Sequence, residues 1–203
     1  MQPQTFVFFG IVGSGKGTQV KLLMDFLKSK DGKECVYIGT GDIFRKIVES
    51  SENNPDTLIV KELLESGRLI SDEMTNKLVS GAMESQLSQD KHAVFDGYPR
   101  TVPQSKFFEE KIEFYERKNV KIIYIELSEA EAMKRNILRG RTDDTTEGLT
   151  KRFSEYVNNV VPAMNYFKGK TSYTIYTING EQTIENVHKD IIKALGHSDS
   201  IKY

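Results

Sequence analysis

Apolar positions along the chain fall into two alternating rhythms. Short, largely apolar runs over 6–9, 35–38, 93–95, 120–127 and 174–178 read as buried strands. Between them apolar residues recur at i, i+3, i+4 and i+7, the spacing of an amphipathic helix. Val20, Leu23, Met24 and Leu27 predict a helix over 17–29, broken at Asp31-Gly32. Ile43, Phe44, Ile47 and Val48 open another, after a tight turn expected at Gly39-Thr40-Gly41-Asp42. A polar connection over 50–55 leads to a helix marked by Leu58, Ile59, Leu63 and Leu64 and ended by Gly67. Ser71 suits the cap of the next helix, with Asp72 and Glu73 in its first turn, where the helix dipole favours negative charge. Phe107, Phe108, Ile112 and Tyr115 mark a further helix. Ser128 and Glu131 predict a capping box for the helix carrying Arg135 and Arg139. Leu149, Phe153, Tyr156, Val160 and Met164 predict a long helix kinked near Pro162, and Ile184, Val187, Ile191 and Leu195 a last one stopped by Gly196.

Alternation of this kind predicts an α/β fold with a parallel sheet covered on both faces. In such sheets ligands bind beyond the carboxyl ends of the strands. The loop after residue 9, the Gly39 turn and the Asp96 turn all leave strand ends directly, so all three are expected at one edge of the sheet.

Composition narrows the field. At 203 residues the chain can bury one substantial core without a second domain. A net charge of −1 gives no field for a general nucleic-acid or membrane-surface binder, so any basic cluster is a local site. The single Cys35 excludes an internal disulfide and a cysteine-cluster zinc site. No run approaches membrane-spanning length, and a cytoplasmic protein is expected.

Chemistry first enters at 10–18, Gly10-Ile11-Val12-Gly13-Ser14-Gly15-Lys16-Gly17-Thr18. A strand, a loop without bulky side chains and a helix N-terminus point backbone N–H groups at one anion. The helix dipole adds roughly half a positive charge there, and Lys16 adds a full one. The order comes close to the P-loop G-x-x-x-x-G-K-[ST], with Gly17 where Ser or Thr belongs.

Taken together, this loop, Gly39-Thr40-Gly41-Asp42-Ile43-Phe44-Arg45, Gly67-Arg68-Leu69-Ile70-Ser71-Asp72-Glu73 and Asp96-Gly97-Tyr98-Pro99-Arg100-Thr101-Val102-Pro103-Gln104 resemble the nucleoside monophosphate kinase family. Within it the adenylate kinases match most closely, and Arg135, Arg139, Arg141, Asp143, Asp144 and Arg152 continue the agreement. In that family Gly17-Thr18 after the lysine is the usual form. The resemblance implies a three-layer P-loop fold with a central five-stranded parallel sheet and helices on both faces. It implies one kinase domain over 1–203: a core of 1–38, 71–138 and 142–203, a helical monophosphate-binding segment at 39–70, and a very short lid at 139–141.

The resemblance further implies transfer of the terminal phosphoryl group of ATP to AMP, giving two ADP, with Mg²⁺ and without zinc, by a monomer. Gly13, Ser14, Gly15, Lys16, Gly17 and Thr18 would bind the ATP phosphates. Arg139 would contact ATP with Arg135 beside it, and Gln182 would meet the ATP adenine through its backbone. Thr40, Arg45, Arg68, Leu69, Ile70, Gly97, Tyr98, Pro99, Arg100 and Gln104 would line the AMP site. Arg141 and Arg152 would clamp the transferring phosphoryl and the AMP phosphate, and Asp96 would hold Mg²⁺ mostly through water. Lys16, Arg100, Arg135, Arg139, Arg141 and Arg152 form the catalytic set. Physical need agrees: about six to seven negative charges must be neutralised in one place, and guanidinium groups grip phosphate oxygens bidentately.

Thr40 and the Gln104 amide favour AMP as acceptor. The connection at 51–56 resembles that of pyrimidine kinases, which leaves a UMP/CMP kinase as the alternative, and a silent nucleotide-binding module as another. Two departures stand out. The lid is only Gly140 between two arginines, so closure is expected from the helix ends carrying Arg139 and Arg152 together with 39–70. Ile11-Val12 stands where the family commonly has proline, and a less preorganised empty loop is expected.

Overall fold

The computed structural model describes residues 2–50, 55–140 and 145–197. Five strands, β1 (Thr5–Phe9), β2 (Cys35–Gly39), β3 (His92–Asp96), β4 (Val120–Glu126) and β5 (Tyr173–Asn179), pair in parallel in the order β2-β3-β1-β4-β5. The helices are α1 (Lys16–Asp31), α2 (Thr40–Ser50), α3 (Pro55–Glu65), α4 (Asp72–Gln86), α5 (Val102–Phe114), α6 (Glu129–Arg139), α7 (Thr146–Glu155), α8 (Val161–Asn165) and α9 (Ile184–Ala194).

The two-residue period of β1 divides the core. Phe6 and Phe8 face one side, where Val20, Leu23 and Leu27 of α1 and Val187, Ile191 and Ile192 of α9 cover them. Val7 and Phe9 face the other, under Val79 and Met83 of α4, Phe108 and Ile112 of α5, and Ala163 and Met164 of α8. Both faces being covered, every residue of β1 is buried, as an unbroken apolar run requires. The crossover from β1 runs toward β2 and that from β4 toward β5, so a crevice opens at the carboxyl end of β1. A smaller cluster of Phe44, Val60 and Ile70, joined by Met74 and Leu78 of α4, roots α2 and α3 on the core.

Three local expectations change. No separate turn follows β2, because the strand runs to Gly39 and α2 begins at Thr40. The capping box is half built: the Ser128 hydroxyl accepts from the Glu131 N–H, but the Glu131 carboxylate turns to Arg135 and the Ser128 N–H donates to Glu181. The long helix breaks one turn before Pro162. Residues Tyr156–Val160 form a π-helical turn, the Val161 N–H reaching the Tyr156 carbonyl five residues back. Proline then sits in the first turn of α8, where no N–H is needed. The polar connection over 51–54 lies outside the described residues.

At the opposite end of the sheet, His92 is fully buried. Its Nδ1 accepts from the Gln4 N–H at 3.0 Å, so the ring proton sits on Nε2, 3.3 Å from Asp31. Burial pulls the imidazole pKa below its ordinary value, more than Asp31 raises it. Asp31 itself, despite the cost of burial, is held down to about 2 by the Lys33 N–H and by His92. A folded histidine that binds protons less readily than the unfolded chain loses stability as pH falls through the ordinary histidine range. Burial shifts His188 and His197 in the same direction. The urea midpoint is therefore expected to fall between about pH 7.5 and about pH 5.5, with a flatter slope in His92→Gln; an identical slope in that variant would assign the effect elsewhere.

Candidate active site

The loop leaving β1 is held from two sides. From within, the Ser14 N–H donates to the Ile11 carbonyl at 3.1 Å, and Lys16 Nζ donates to the carbonyls of Gly10 (2.6 Å) and Ile11 (3.0 Å). From outside, Asn136 of α6 donates from Nδ2 to the Val12 carbonyl at 3.0 Å. Gly13 answers a steric need here: its φ is 89°, and a Cβ would lie 2.5 Å from Asn136 Nδ2. Gly15 caps α1 without a side-chain bond, so the positive end of the helix opens toward the cleft.

Ile11 is buried with Ala132 of α6 and Leu149 and Phe153 of α7, and Val12 packs beside them. This changes the expectation of a slack loop. Apolar packing and the Asn136 bond supply restraint of the kind proline would have supplied through its fixed φ.

Across the crevice, the end of β3 delivers Asp96 and the following loop Arg100. Arg100 Nε donates to the Gly97 carbonyl at 2.7 Å, and so does the Thr40 hydroxyl, also at 2.7 Å. One carbonyl thus ties the start of α2 to the end of β3. Burial pushes the Asp96 carboxyl up, against the pull of Lys16 and Arg100. Lys16 moves the other way: burial pushes its pKa down to about 8, opposed by Asp96. Arg45 of α2 pairs with Asp42, whose other oxygen accepts from Tyr37 at 2.9 Å.

A cleft of about 1080 Å³ gathers these groups, slightly more than single small-ligand sites usually enclose. Gly13, Gly15, Lys16, Gly17 and Thr18 line it on the loop side. Thr40, Arg45, Arg68, Leu69, Ile70, Gly97, Pro99, Arg100 and Gln104 line the other side, with Asp96 between. Arg135, Arg139 and Arg152 border it from α6 and α7. Three expected residues are placed otherwise. Ser14 is buried beneath the loop, Tyr98 is a core residue only 1% exposed, and Gln182 lies in the β5–α9 loop bonded to Asn179 and Asp190. Tyr98 still serves the site from behind, donating its hydroxyl to Asn76 of α4 at 2.7 Å. Arg141, Asp143 and Asp144 lie outside the described residues.

The lips of the cleft touch. Arg152 of α7 donates to the Leu64 carbonyl of α3 at 3.0 Å. A Cβ on Gly67 would come within 2.5 Å of the Gly148 carbonyl, so the close approach exists only because residue 67 has none.

Sequence reading missed Asn136, Tyr37 and Asp42. Asn136 follows an arginine that does fit the family pattern, and nothing in its spacing marks the full burial that the structure shows. Tyr37 read as a core residue of a short strand.

Comparison with known proteins agrees with this geometry. The family model described as adenylate kinase matches residues 8–172. An adenylate kinase of Bacteroides fragilis is 33% identical over 195 residues, covering 93% of this chain and 96% of its own length. Adenylate kinase 1 of a Nostoc species is 30% identical over 190 residues, covering 94% and 97%. One from Prochlorococcus marinus is 29% identical, covering 91% and 94%.

Lys16 supplies a test of the loop. With its pKa near about 8 in the empty site, part of the population is neutral above that pH, and a bound polyphosphate restores the ammonium. Triphosphate binding is expected to weaken several-fold from about pH 7 to about pH 9 and to take up protons. Calorimetry in two buffers of different ionisation heat measures the uptake; equal heats at the higher pH would show the ammonium already intact.

Proposed function

Because the chain belongs to the adenylate kinase family, whose reaction is reversible transfer of the terminal phosphoryl group of ATP to AMP, we infer that its cleft aligns those two nucleotides end to end. The products are two ADP. The observation that carries this reading is convergence: Lys16, Arg45, Arg100, Arg135, Arg139 and Arg152 border one cleft from five separate elements.

Phosphoryl transfer demands alignment and charge neutralisation more than covalent help. The loop N–H groups, the α1 dipole and Lys16 hold the ATP phosphates. Arg45 and Arg100 grip the AMP phosphate, fixing its oxygen in line with the phosphoryl group. Arg135, Arg139 and Arg152, with Arg141, spread over the group in transit, where charge accumulates on its equatorial oxygens. Gln104 and Thr40 face the acceptor base, and the backbone of residue 182 the donor base.

Asp96 fits a magnesium ion. Its half-buried carboxylate faces Lys16 and Arg100 at the cleft floor, and among the described residues no group of three or more His, Cys, Asp or Glu could cage an ion. Magnesium keeps most of its waters and leans on one carboxylate and the nucleotide phosphates. When bound it neutralises part of the polyphosphate charge. No helix is long and apolar enough to cross a membrane among the described residues. A cytoplasmic monomer acting on small nucleotides accords with the near-zero net charge and single cysteine.

Closure over the phosphates belongs to α7, the end of α6 and the 39–70 segment, as the Arg152–Leu64 bond supports. Crystals without ligand are expected to show those segments apart, and crystals with both nucleotides to show them together; identical placement in the two would refute the idea. Coupled assays with AMP, CMP, GMP and UMP test the acceptor. AMP is expected to turn over fastest, and Lys16→Met to lower kcat about 10³-fold or more while the chain still melts in one cooperative transition. Fastest turnover with CMP or UMP would replace AMP by a pyrimidine acceptor, and binding of ATP without any transfer would leave only a binding module.

A further inference from the structure

The Gln104 amide offers both a donor and an acceptor to a base, side by side in one plane, and it is almost free of solvent, 1% exposed. A glutamine amide has nearly the same shape after a half turn, which exchanges oxygen and nitrogen. Alone, therefore, it reads no base in particular. Here two fixed neighbours remove the ambiguity. Oε1 accepts from the backbone N–H of Arg100 at 2.8 Å, and Nε2 donates to Asp72 Oδ1 at 2.8 Å. An N–H can only donate and an ionised carboxylate can only accept, so the half turn would replace two hydrogen bonds by two repulsions.

We propose that Asp72 is a specificity-positioning residue: by holding the Gln104 amide in one orientation it sets the order in which donor and acceptor face the acceptor base. The proposal rests on the reading that Gln104 faces that base. Asp72 itself does not border the cleft and acts through Gln104. It is the first residue of α4, just inside the Ser71 cap, where the helix dipole stabilises its charge. The same oxygen accepts from the Thr101 hydroxyl at 2.8 Å, and that hydroxyl in turn accepts from the Gln104 N–H at 3.2 Å. One helical turn along α4, Asn76 receives the Tyr98 hydroxyl, which also points at the Gln104 carbonyl at 3.4 Å. The start of α4 thus fixes both the backbone and the side chain of Gln104.

With one N–H and one oxygen lone pair already engaged, the amide keeps one of each for the base, in fixed order. Adenine and cytosine present an exocyclic amino donor beside a ring-nitrogen acceptor. Guanine and uracil present a carbonyl acceptor beside a ring N–H on the matching edge. Locking the amide therefore separates AMP and CMP from GMP and UMP. Rejection of CMP must come from other contacts, such as the size of the base.

The test measures kcat/KM for all four monophosphates at saturating ATP, and KM for ATP, in the wild type, Asp72→Ala and Asp72→Asn. Removing the lock is expected to lower the AMP-to-GMP and AMP-to-UMP ratios ten-fold or more, chiefly through KM for AMP, with KM for ATP unchanged. Asp72→Asn, whose side-chain oxygen still accepts both bonds, is expected to restore most of the ratio. Asp72→Ser replaces the alanine variant if that chain does not fold. Unchanged ratios, or equal losses toward ATP and AMP that asparagine does not rescue, would overturn the proposal. A wild type that prefers a pyrimidine would fail the reading of the acceptor instead, and the lock would then be read from the CMP-to-UMP ratio.

Discussion

Like charges crowded around a cleft repel one another, and this constraint orders the structure. Lys16, Arg45, Arg100, Arg135 and Arg152 border the same cleft, where Coulomb forces between them are stronger than in bulk water. Each rests on a local acceptor: Lys16 on two loop carbonyls, Arg45 on Asp42, Arg100 on the Gly97 carbonyl, Arg135 on Glu131 and Arg152 on the Leu64 carbonyl. These bonds give each cation a defined partner within the fold. Most are to neutral carbonyls, which an incoming phosphate oxygen can displace without stranding a carboxylate. Burial, more than the neighbouring arginines, lowers the Lys16 pKa, and Asp96 opposes both.

The parallel sheet makes the gathering feasible. All five strands point their carboxyl ends one way, so β1, β2 and β3 deliver the loop, Thr40 and Asp96 to a single edge. Behind that edge, α4 and α5 are stitched through Asp72, Asn76, Tyr98 and Thr101, residues that touch no phosphate yet decide how the facing groups stand. Ile11 performs the same service for the loop from the α6–α7 side.

Much of this was legible in the chain. Strands revealed themselves as largely apolar runs, unbroken in β1 where both sheet faces are covered, and the phosphate loop because glycine, lysine and a helix start seldom coincide by accident. What escaped has a common physical cause. The π-helical turn at 156–160 depends on how the carbonyls before Pro162 find partners, which periodicity does not encode. The capping box failed because Glu131 had a stronger partner, an arginine one turn on, and a distant Glu181 took its role. Tyr98 was placed in the cleft by its neighbours in sequence, although the chain turns its ring into the core. Asn136 and Asp72 act through contacts far along the chain, and a single sequence carries no record of those.

The contact between Gly67 and Gly148 has a kinetic meaning. The two lips meet there backbone to backbone, with the Arg152 side chain alongside and its guanidinium on the Leu64 carbonyl. An enzyme that sealed itself with a greasy latch would grip its products as firmly as its substrates. A seam held by one close backbone approach and one arginine hydrogen bond has few contacts to break, and parting it would free a guanidinium rather than uncover a packed core.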